Sequence, residues 1–193
     1  MKFTVTTIAA ALGLAVCGGA FAQAGTLQRD ANQQQRIEQG LQSGQLNTRE
    51  AARLEREEAR VERDQSRAMQ DGKLTPAEKA RLAREQNKVS RDIYREKHDA
   101  QTGNPNSASS QRMQADVQRN VNQQNRIEQG VQSGSLTTRE AAKLERGQAR
   151  DSRLEARAGA DGHVGAREQR RVQANENRQS GRIHREKHDA QKK

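Results

Sequence analysis

The sequence predicts an all-α protein made of two tandem three-helix modules joined by a flexible linker, after an N-terminal signal peptide. Three observations support this prediction. A glycine-containing turn, followed by an aliphatic residue and a helix start that ends in Glu, occurs four times. Apolar residues recur at helical spacing between these turns, which is typical of amphipathic helices. The chain also repeats itself at an offset of 90 residues, which indicates two copies of one module.

The composition excludes a single large hydrophobic core. Of the 193 residues, 31% are hydrophobic, 2% are aromatic and 31% are charged. Helices with narrow apolar stripes are the structure that such a composition can support. The formal net charge is +10, which favours polyanions as partners. Arg and Glu are closely interspersed, however, and this pattern is equally typical of a solvated helix face.

Residues 1–22 have the pattern of a secretory signal peptide. Lys2 provides the positive start, an apolar run follows, and the run ends in a small-x-small cleavage site at Ala22. Cleavage after about Ala22 would place the protein in the bacterial periplasm or outside the cell. No later apolar stretch is long enough for a membrane span. In the alternative interpretation, Cys17 is the lipid acceptor of a bacterial lipoprotein.

The internal repeat sets the predicted domain boundaries. Residues 36–40 align with 126–130, and residues 95–101 align with 185–191, without a gap between these anchors. The stretch between the two copies is rich in Gly, Asn and Ser, as flexible linkers are. The predicted boundaries are 1–22 for the signal peptide, 28–101 for the first module, 102–115 for the linker and 116–191 for the second module.

Three helices are predicted in the first module. The first covers about 29–42 and carries Ile37 and Leu41 at helical spacing. The second covers about 48–70, where Glu50, Glu57 and Asp64 each precede an arginine by three residues, which favours ion pairs along the helix. Its thin apolar seam contains Leu54, Val61 and Ala68. The third covers about 76–99, and its buried face is predicted to contain Leu82, Val89 and Ile93. A small antiparallel three-helix unit would bury these seams together.

The four turns are predicted to end one helix and start the next. In Asp71 to Glu78, Gly72 suits the left-handed residue that ends a helix, Thr75 is the N-cap and Glu78 is at N3. Asn47 with Glu50 and Thr137 with Glu140 repeat this capping box, while Gly165 with Glu168 retains only the Glu.

Two of these turns also resemble the second half of the EF-hand calcium loop, which reads Asp-Gly-x-aliphatic-x-x-x-Glu. Asp71 and Glu78 match two of its ligand positions, and so do Asp161 and Glu168. The resemblance implies these four carboxylates as calcium ligands. The first two ligand positions of the loop depart from the pattern, being Arg67 and Met69 in one module and Arg157 and Gly159 in the other.

The segments 74–78 and 136–140 resemble the Leu-Thr-x-x-Gln motif of the Spy/CpxP family of periplasmic stress chaperones, with Glu at the Gln position. This resemblance implies client binding on a basic, partly apolar helical surface. Over both modules the chain is similar to small exported bacterial helical proteins of unknown function that carry repeated Gly-x-Leu-Thr-x-x-Glu units, and this likeness implies no activity.

Histidines provide the remaining candidate metal ligands. His184 and His188 are four residues apart on the last predicted helix, so both imidazoles lie on one face and would hold a transition metal weakly. Surface positions without a ligand are the alternative. No nucleophile with a base, no phosphate-binding loop and no cofactor motif is present, and the motifs and aromatic residues of nucleic-acid binders are missing.

The sequence therefore predicts a non-enzymatic exported binding protein of the bacterial envelope, chaperone-like or stress-related, that acts through basic amphipathic helices. We expect an unfolded or anionic envelope partner, self-association through the thin apolar stripes, no nucleic acid and no membrane span. No cofactor is expected. The alternative is a module that binds calcium or a transition metal weakly through degenerate EF-hand-like loops.

Overall fold

The computed structural model describes residues 17–189, with side chains from residue 23 onward. This part of the chain contains six α-helices and no strand, which confirms the predicted all-α fold. The predicted signal peptide lies outside the described residues, apart from the helical backbone of 17–22. The helices are α1 Cys17–Ser43, α2 Thr48–Ala68 and α3 Pro76–Lys97 in the first module, and α4 Ala108–Ser133, α5 Thr138–Ala158 and α6 Ala166–His188 in the second.

The helix starts have the capping geometry that the turn sequences predict. The Asn47 side chain accepts the Glu50 amide at 3.0 Å, and the Glu50 carboxylate accepts the Asn47 amide at 2.9 Å. At the start of α6 only the bond from the Gly165 amide to the Glu168 carboxylate forms, because Gly165 has no side chain. The four turn glycines have φ between 75° and 92°, a conformation that glycine adopts without strain. The same reciprocal pair joins Thr75 to Glu78 and Thr137 to Glu140.

Helix α1 extends further toward the N-terminus than the predicted range 29–42. Ala24 and Leu27 are buried in an apolar cluster that also contains Ile127 and Val131 of α4. Burial against the second module therefore stabilises a segment that local sequence alone does not mark as helical.

Helices α1, α2, α4 and α5 form a central bundle in which each helix lies against its repeat counterpart. The Ser66 hydroxyl near the end of α2 donates to the Ala142 carbonyl near the start of α5 at 2.7 Å, so these two helices are antiparallel. Gln114 near the start of α4 reaches the Leu41 carbonyl near the end of α1, so this pair is antiparallel too. Helix α3 packs outside α1 and α2, and α6 packs outside α4 and α5.

One pair of contacts between the modules obeys the 90-residue repeat. Arg49 donates to the carbonyl of Asp161 at 2.8 Å, and its counterpart Arg139 donates to the carbonyl of Asp71 at 3.3 Å. An approximate twofold axis therefore relates the modules, as in an isologous dimer. The two tandem units form one body through the faces that a homodimer would use.

The connection between the modules is shorter than the predicted linker, 102–115. Helix α4 begins at Ala108, where the Ser107 hydroxyl accepts the Ser110 amide at 3.1 Å. Before it, the Gly103 amide donates to the Gly44 carbonyl at 2.8 Å. The second half of the predicted linker is therefore part of α4. Its first half is hydrogen-bonded to the turn between α1 and α2.

Replacing Gly103 with Ala is expected to lower the free energy of unfolding by about 1 to 3 kcal/mol, the usual cost of overpacking. An added Cβ would meet the Leu46 carbonyl and lie 2.9 Å from the Cα of Asn47, and neither backbone atom can rotate away. Urea denaturation measures the effect. Gly25→Ala is the matched control, because nothing lies within 4 Å of a Cβ there and the change should stabilise α1. Equal effects at both positions would contradict this account.

Within the described residues, no helix combines the length and the apolar content that crossing a membrane requires.

Candidate anion-binding groove

The facing sides of α2 and α5 are unusually rich in buried carboxylates. Their side chains are at most 1% exposed, although the sequence pattern suggests a solvated face. They alternate with arginines in sequence, yet they point into the bundle while the arginines point outward. The buried acids are Glu55, Glu58 and Glu62 on α2 and Glu145, Asp151 and Glu155 on α5.

Glutamine and asparagine side chains of α1 and α4 supply hydrogen-bond donors to three of these acids, Glu55, Glu145 and Glu155. Gln34 donates to Glu55 at 3.1 Å, and the repeat counterpart of this pair joins Gln124 to Glu145 at 3.1 Å. The Gln-rich character of α1 and α4 therefore has a structural cause, because buried carboxyl groups need partners.

Burial raises the pKa values of these acids, because a charge loses its hydration in the bundle. The pKa of Glu55 rises to about 8 and that of Asp30 to about 7. For Glu58, burial and then the neighbouring carboxylates of Asp30 and Glu55 raise the pKa well above its ordinary value.

The arginines between these acids form the walls of a groove along the α2–α5 contact. Each helix contributes four arginines spaced by four, three and four residues, so each row follows one helix face for about 16 Å. All eight are exposed or half-buried. The rows are Arg56, Arg60, Arg63 and Arg67 on α2, and Arg146, Arg150, Arg153 and Arg157 on α5.

The groove has two halves, which the twofold axis relates to each other. One half, of about 350 Å³, lies beside Arg56 and Arg157, and the other, of about 410 Å³, lies beside Arg67 and Arg146. Small buried residues form the floor, because α2 and α5 approach too closely for larger ones. They are Ala59, Ser66, Ala149 and Ala156.

Few acids neutralise these arginines. Every acid of α5 is buried, and the two half-buried acids of α2 lie at its edge with α3. There Glu57 pairs with Lys88 at 2.7 Å, and Asp64 pairs with Arg81 at 3.0 Å. Asp64 also pairs with Arg67 at 3.5 Å. Of the three i,i+3 pairs predicted for α2, this is the one that forms among the described residues. Apart from Arg63 and Arg67, the groove arginines have no carboxylate within 4 Å among the described residues.

The carboxylates of the EF-hand-like turns are engaged in the turns themselves. Asp71 accepts the Lys73 amide at 2.9 Å, and Glu78 accepts the amide of Thr75 at 2.9 Å. An arginine of the other module donates a hydrogen bond to the backbone carbonyl of each Asp. For Asp71 this arginine is Arg139. The second turn repeats this arrangement with Asp161, Glu168 and Arg49. Such contacts supply cationic and N–H partners where the resemblance implies calcium.

His184 and His188 lie on the exposed side of α6 with their rings stacked, 4.3 Å between centroids. The Nδ1 atom of His188 lies 2.7 Å from the His184 carbonyl oxygen and is used within the helix. Tyr94 and His98 form the equivalent stack in the first module, with centroids 4.1 Å apart. Both modules therefore end in two stacked rings, although the first ring is Tyr in one module and His in the other.

Comparison of the chain with protein-family models, with curated proteins and with solved structures finds no match.

Sequence reasoning missed the groove, although a signal for it was present. Arginines at spacings of four, three and four fall on one helical face, and the same series recurs 90 residues later. The spacing of Arg56 to Arg67 alone would have placed one row. That the two rows face each other depends on the contact between the modules, which no local pattern records.

Proposed function

We propose that this protein is a non-enzymatic, exported binding protein of the bacterial envelope whose ligand is a linear polyanion held in the arginine groove of α2 and α5. The ligand would carry repeated phosphate or carboxylate groups along a flexible chain. Guanidinium groups suit such a ligand, because their planar fork binds both kinds of oxyanion with two hydrogen bonds.

The observation that carries the proposal is the segregation of charge across α2 and α5. Acids and arginines that alternate in sequence are divided between the interior and the surface, which leaves a cationic groove with few counterions. A solvated helix face would instead pair the two signs at its surface. The groove is also shallow, open and about 16 Å long, which fits a chain better than a compact small molecule.

Binding of unfolded clients, the chaperone-like alternative, has less support from the surface. Among the large hydrophobic side chains of the described residues, only Tyr94 is exposed, at 61%. A client-binding surface needs apolar area that can cover an unfolded chain. Export is supported by the pattern of residues 1–22 and would bring the protein to anionic envelope polymers.

Removing four groove charges is expected to weaken polyanion binding by at least 100-fold at low salt. The test uses the chain from residue 23 and fluorescence anisotropy with labelled inorganic polyphosphate of defined length. The variant replaces Arg60, Arg63, Arg150 and Arg153 with Gln, which keeps helix propensity. For the intact groove the affinity should fall steeply with salt, and for the variant the slope of log K against log salt should be shallower by about 3.

The control removes the same charge elsewhere, with Arg84, Arg91, Arg170 and Arg171 of the outer helices replaced by Gln. All four are exposed and none lines the groove. This variant should lose less than about tenfold in affinity, because only the long-range field changes. Equal losses in the two variants would show diffuse attraction rather than a groove, and would refute the proposal.

A further inference from the structure

A second kind of charged cluster lies at the end of each module, away from the arginine groove. In the first module, Glu50 in the first turn of α2 meets Glu96 and Asp99 at the end of α3. One oxygen from each carboxylate lies within 4.8 Å of the others. Glu50 and Glu96 are buried, whereas Asp99 is exposed and opens the cluster to water.

The second module repeats this cluster with Glu140, Glu186 and Asp189, again with oxygens within 4.8 Å of one another. Each residue is 90 positions from its counterpart. These are the two groups of three candidate ligands that the described residues form. They use the Glu-Lys-His-Asp segment repeated at the end of each module, which lies outside the groove.

Hydrogen bonding within the first cluster leaves one oxygen without a partner. The Asn47 amide occupies Oε2 of Glu50, while Oε1 is buried and accepts no hydrogen bond. A buried acceptor without a donor is costly, and here two further carboxylates lie beside it. A cation bound between the three carboxylates would satisfy this oxygen.

The cationic groups of the protein compensate the first cluster only in part. The Arg53 guanidinium lies 3.2 Å from Oε1 of Glu96 and 3.4 Å from its Oε2. Three carboxylates with one guanidinium leave two negative charges, which one divalent cation would neutralise. The second cluster differs, because Lys143 replaces Arg53, Glu140 has no buried oxygen without a partner, and Asp189 has an interaction of its own.

We infer that Glu50, Glu96 and Asp99 bind one hard divalent cation, with calcium as the best match. Calcium takes oxygen ligands at about 2.4 Å, so two ligand oxygens on one ion are at most about 4.8 Å apart. Water would complete the coordination on the side of Asp99. The inference is independent of polyanion binding, since no residue is shared with the groove.

The test is isothermal titration calorimetry of the chain from residue 23 with calcium chloride. We expect saturable binding of one ion per chain, with a dissociation constant of about 10⁻⁴ to 10⁻³ M, as in extracellular calcium modules. Glu96→Gln with Asp99→Asn should abolish this binding. Glu50 stays unchanged, because it also caps a helix.

The matched control changes the EF-hand-like turns by Asp71→Asn, Glu78→Gln, Asp161→Asn and Glu168→Gln, and it should still bind one ion. Circular dichroism establishes that each variant keeps its helix content. Absence of saturable binding to the unchanged chain, or loss of binding in the turn variant instead of the cluster variant, would overturn the inference.

Discussion

Acidification from pH 8 to pH 5 is expected to raise the melting temperature by about 10 °C or more, since about 1 kcal/mol moves a chain of this size by about 2 to 4 °C. The cause is the set of carboxyl groups buried in the central bundle. The pKa of Asp30 is about 7 and that of Glu176 about 8 in the folded protein, and burial is the main cause of both shifts.

Proton linkage determines whether the free energy of unfolding rises or falls with pH. The unfolded chain has ordinary carboxyl pKa values near 4, so between pH 5 and pH 8 the folded state binds more protons than the unfolded state. The free energy of unfolding therefore falls as the pH rises through this window. For Asp30 alone, a pKa of about 7 corresponds to a loss of roughly 3 kcal/mol between pH 5 and pH 8.

Asp30→Asn provides the control. The second module already carries Asn120 at the equivalent position, where it donates to Glu155 at 2.8 Å, so an amide fits this site. The variant should melt at a higher temperature than the parent at pH 8 and at nearly the same temperature at pH 5. Differential scanning calorimetry at several pH values measures this. A melting temperature that rises with pH would contradict the assignment of these acids to the interior.

The second large effect is expected when the modules are separated. A fragment of residues 23–103 should form a homodimer at pH 5 and should lose its fold at pH 8. Alone, it exposes Ile37, Leu41 and Leu54, which are buried in one cluster with residues of the second module such as Val117. A second copy of the fragment can cover them, because Leu27 of the first module occupies the repeat position that Val117 occupies in the second.

The pH dependence of this dimer would exceed that of the intact chain. Glu62 accepts a hydrogen bond from the Ser152 hydroxyl at 3.0 Å, and the counterpart of Ser152 in the first module is Glu62 itself. A homodimer would therefore place two glutamates together, which requires at least one to be protonated.

Sedimentation velocity and circular dichroism at the two pH values test this prediction. Adding a fragment of residues 104–193 at pH 8 should restore helix content as a one-to-one complex. A folded monomer of the first fragment at pH 8 would show that the module does not need its partner.

The helix starts could be predicted from the sequence because their causes are local. Turn glycines with positive φ, the caps Asn47, Thr75 and Thr137, and the glutamates three residues later act within one turn of chain. The buried seams of Leu54 with Val61 and of Leu82 with Val89 were predicted for the same reason, and they are buried.

The interior of the bundle could not be predicted in this way. Glu55, Glu58 and Glu62 belong to a pattern that reads as surface, because acids are rarely buried without partners. Glu55 accepts a hydrogen bond from Gln34 of α1, and Glu62 accepts one from Ser152 of the second module. Neither oxygen of Glu58 has a hydrogen-bond partner among the described residues. Glu50, Glu57 and Asp64 were predicted to pair with the arginines three residues later. Asp64 does reach Arg67, whereas Glu50 caps its own helix and Glu57 pairs with Lys88 on α3. Tertiary contacts thus decided the orientation of Glu57, as they did for the buried acids.

The twofold relation between the groove halves has a consequence for how a polymer would lie in it. A linear polyanion has two ends, but a groove whose halves exchange under rotation presents the same guanidinium pattern to either chain direction. Both orientations would then be occupied with nearly equal weight, and a chain longer than the groove could shift by one charge without losing contacts. A ligand bound in this way would keep much of its freedom, and its exchange with neighbouring binding sites would be fast.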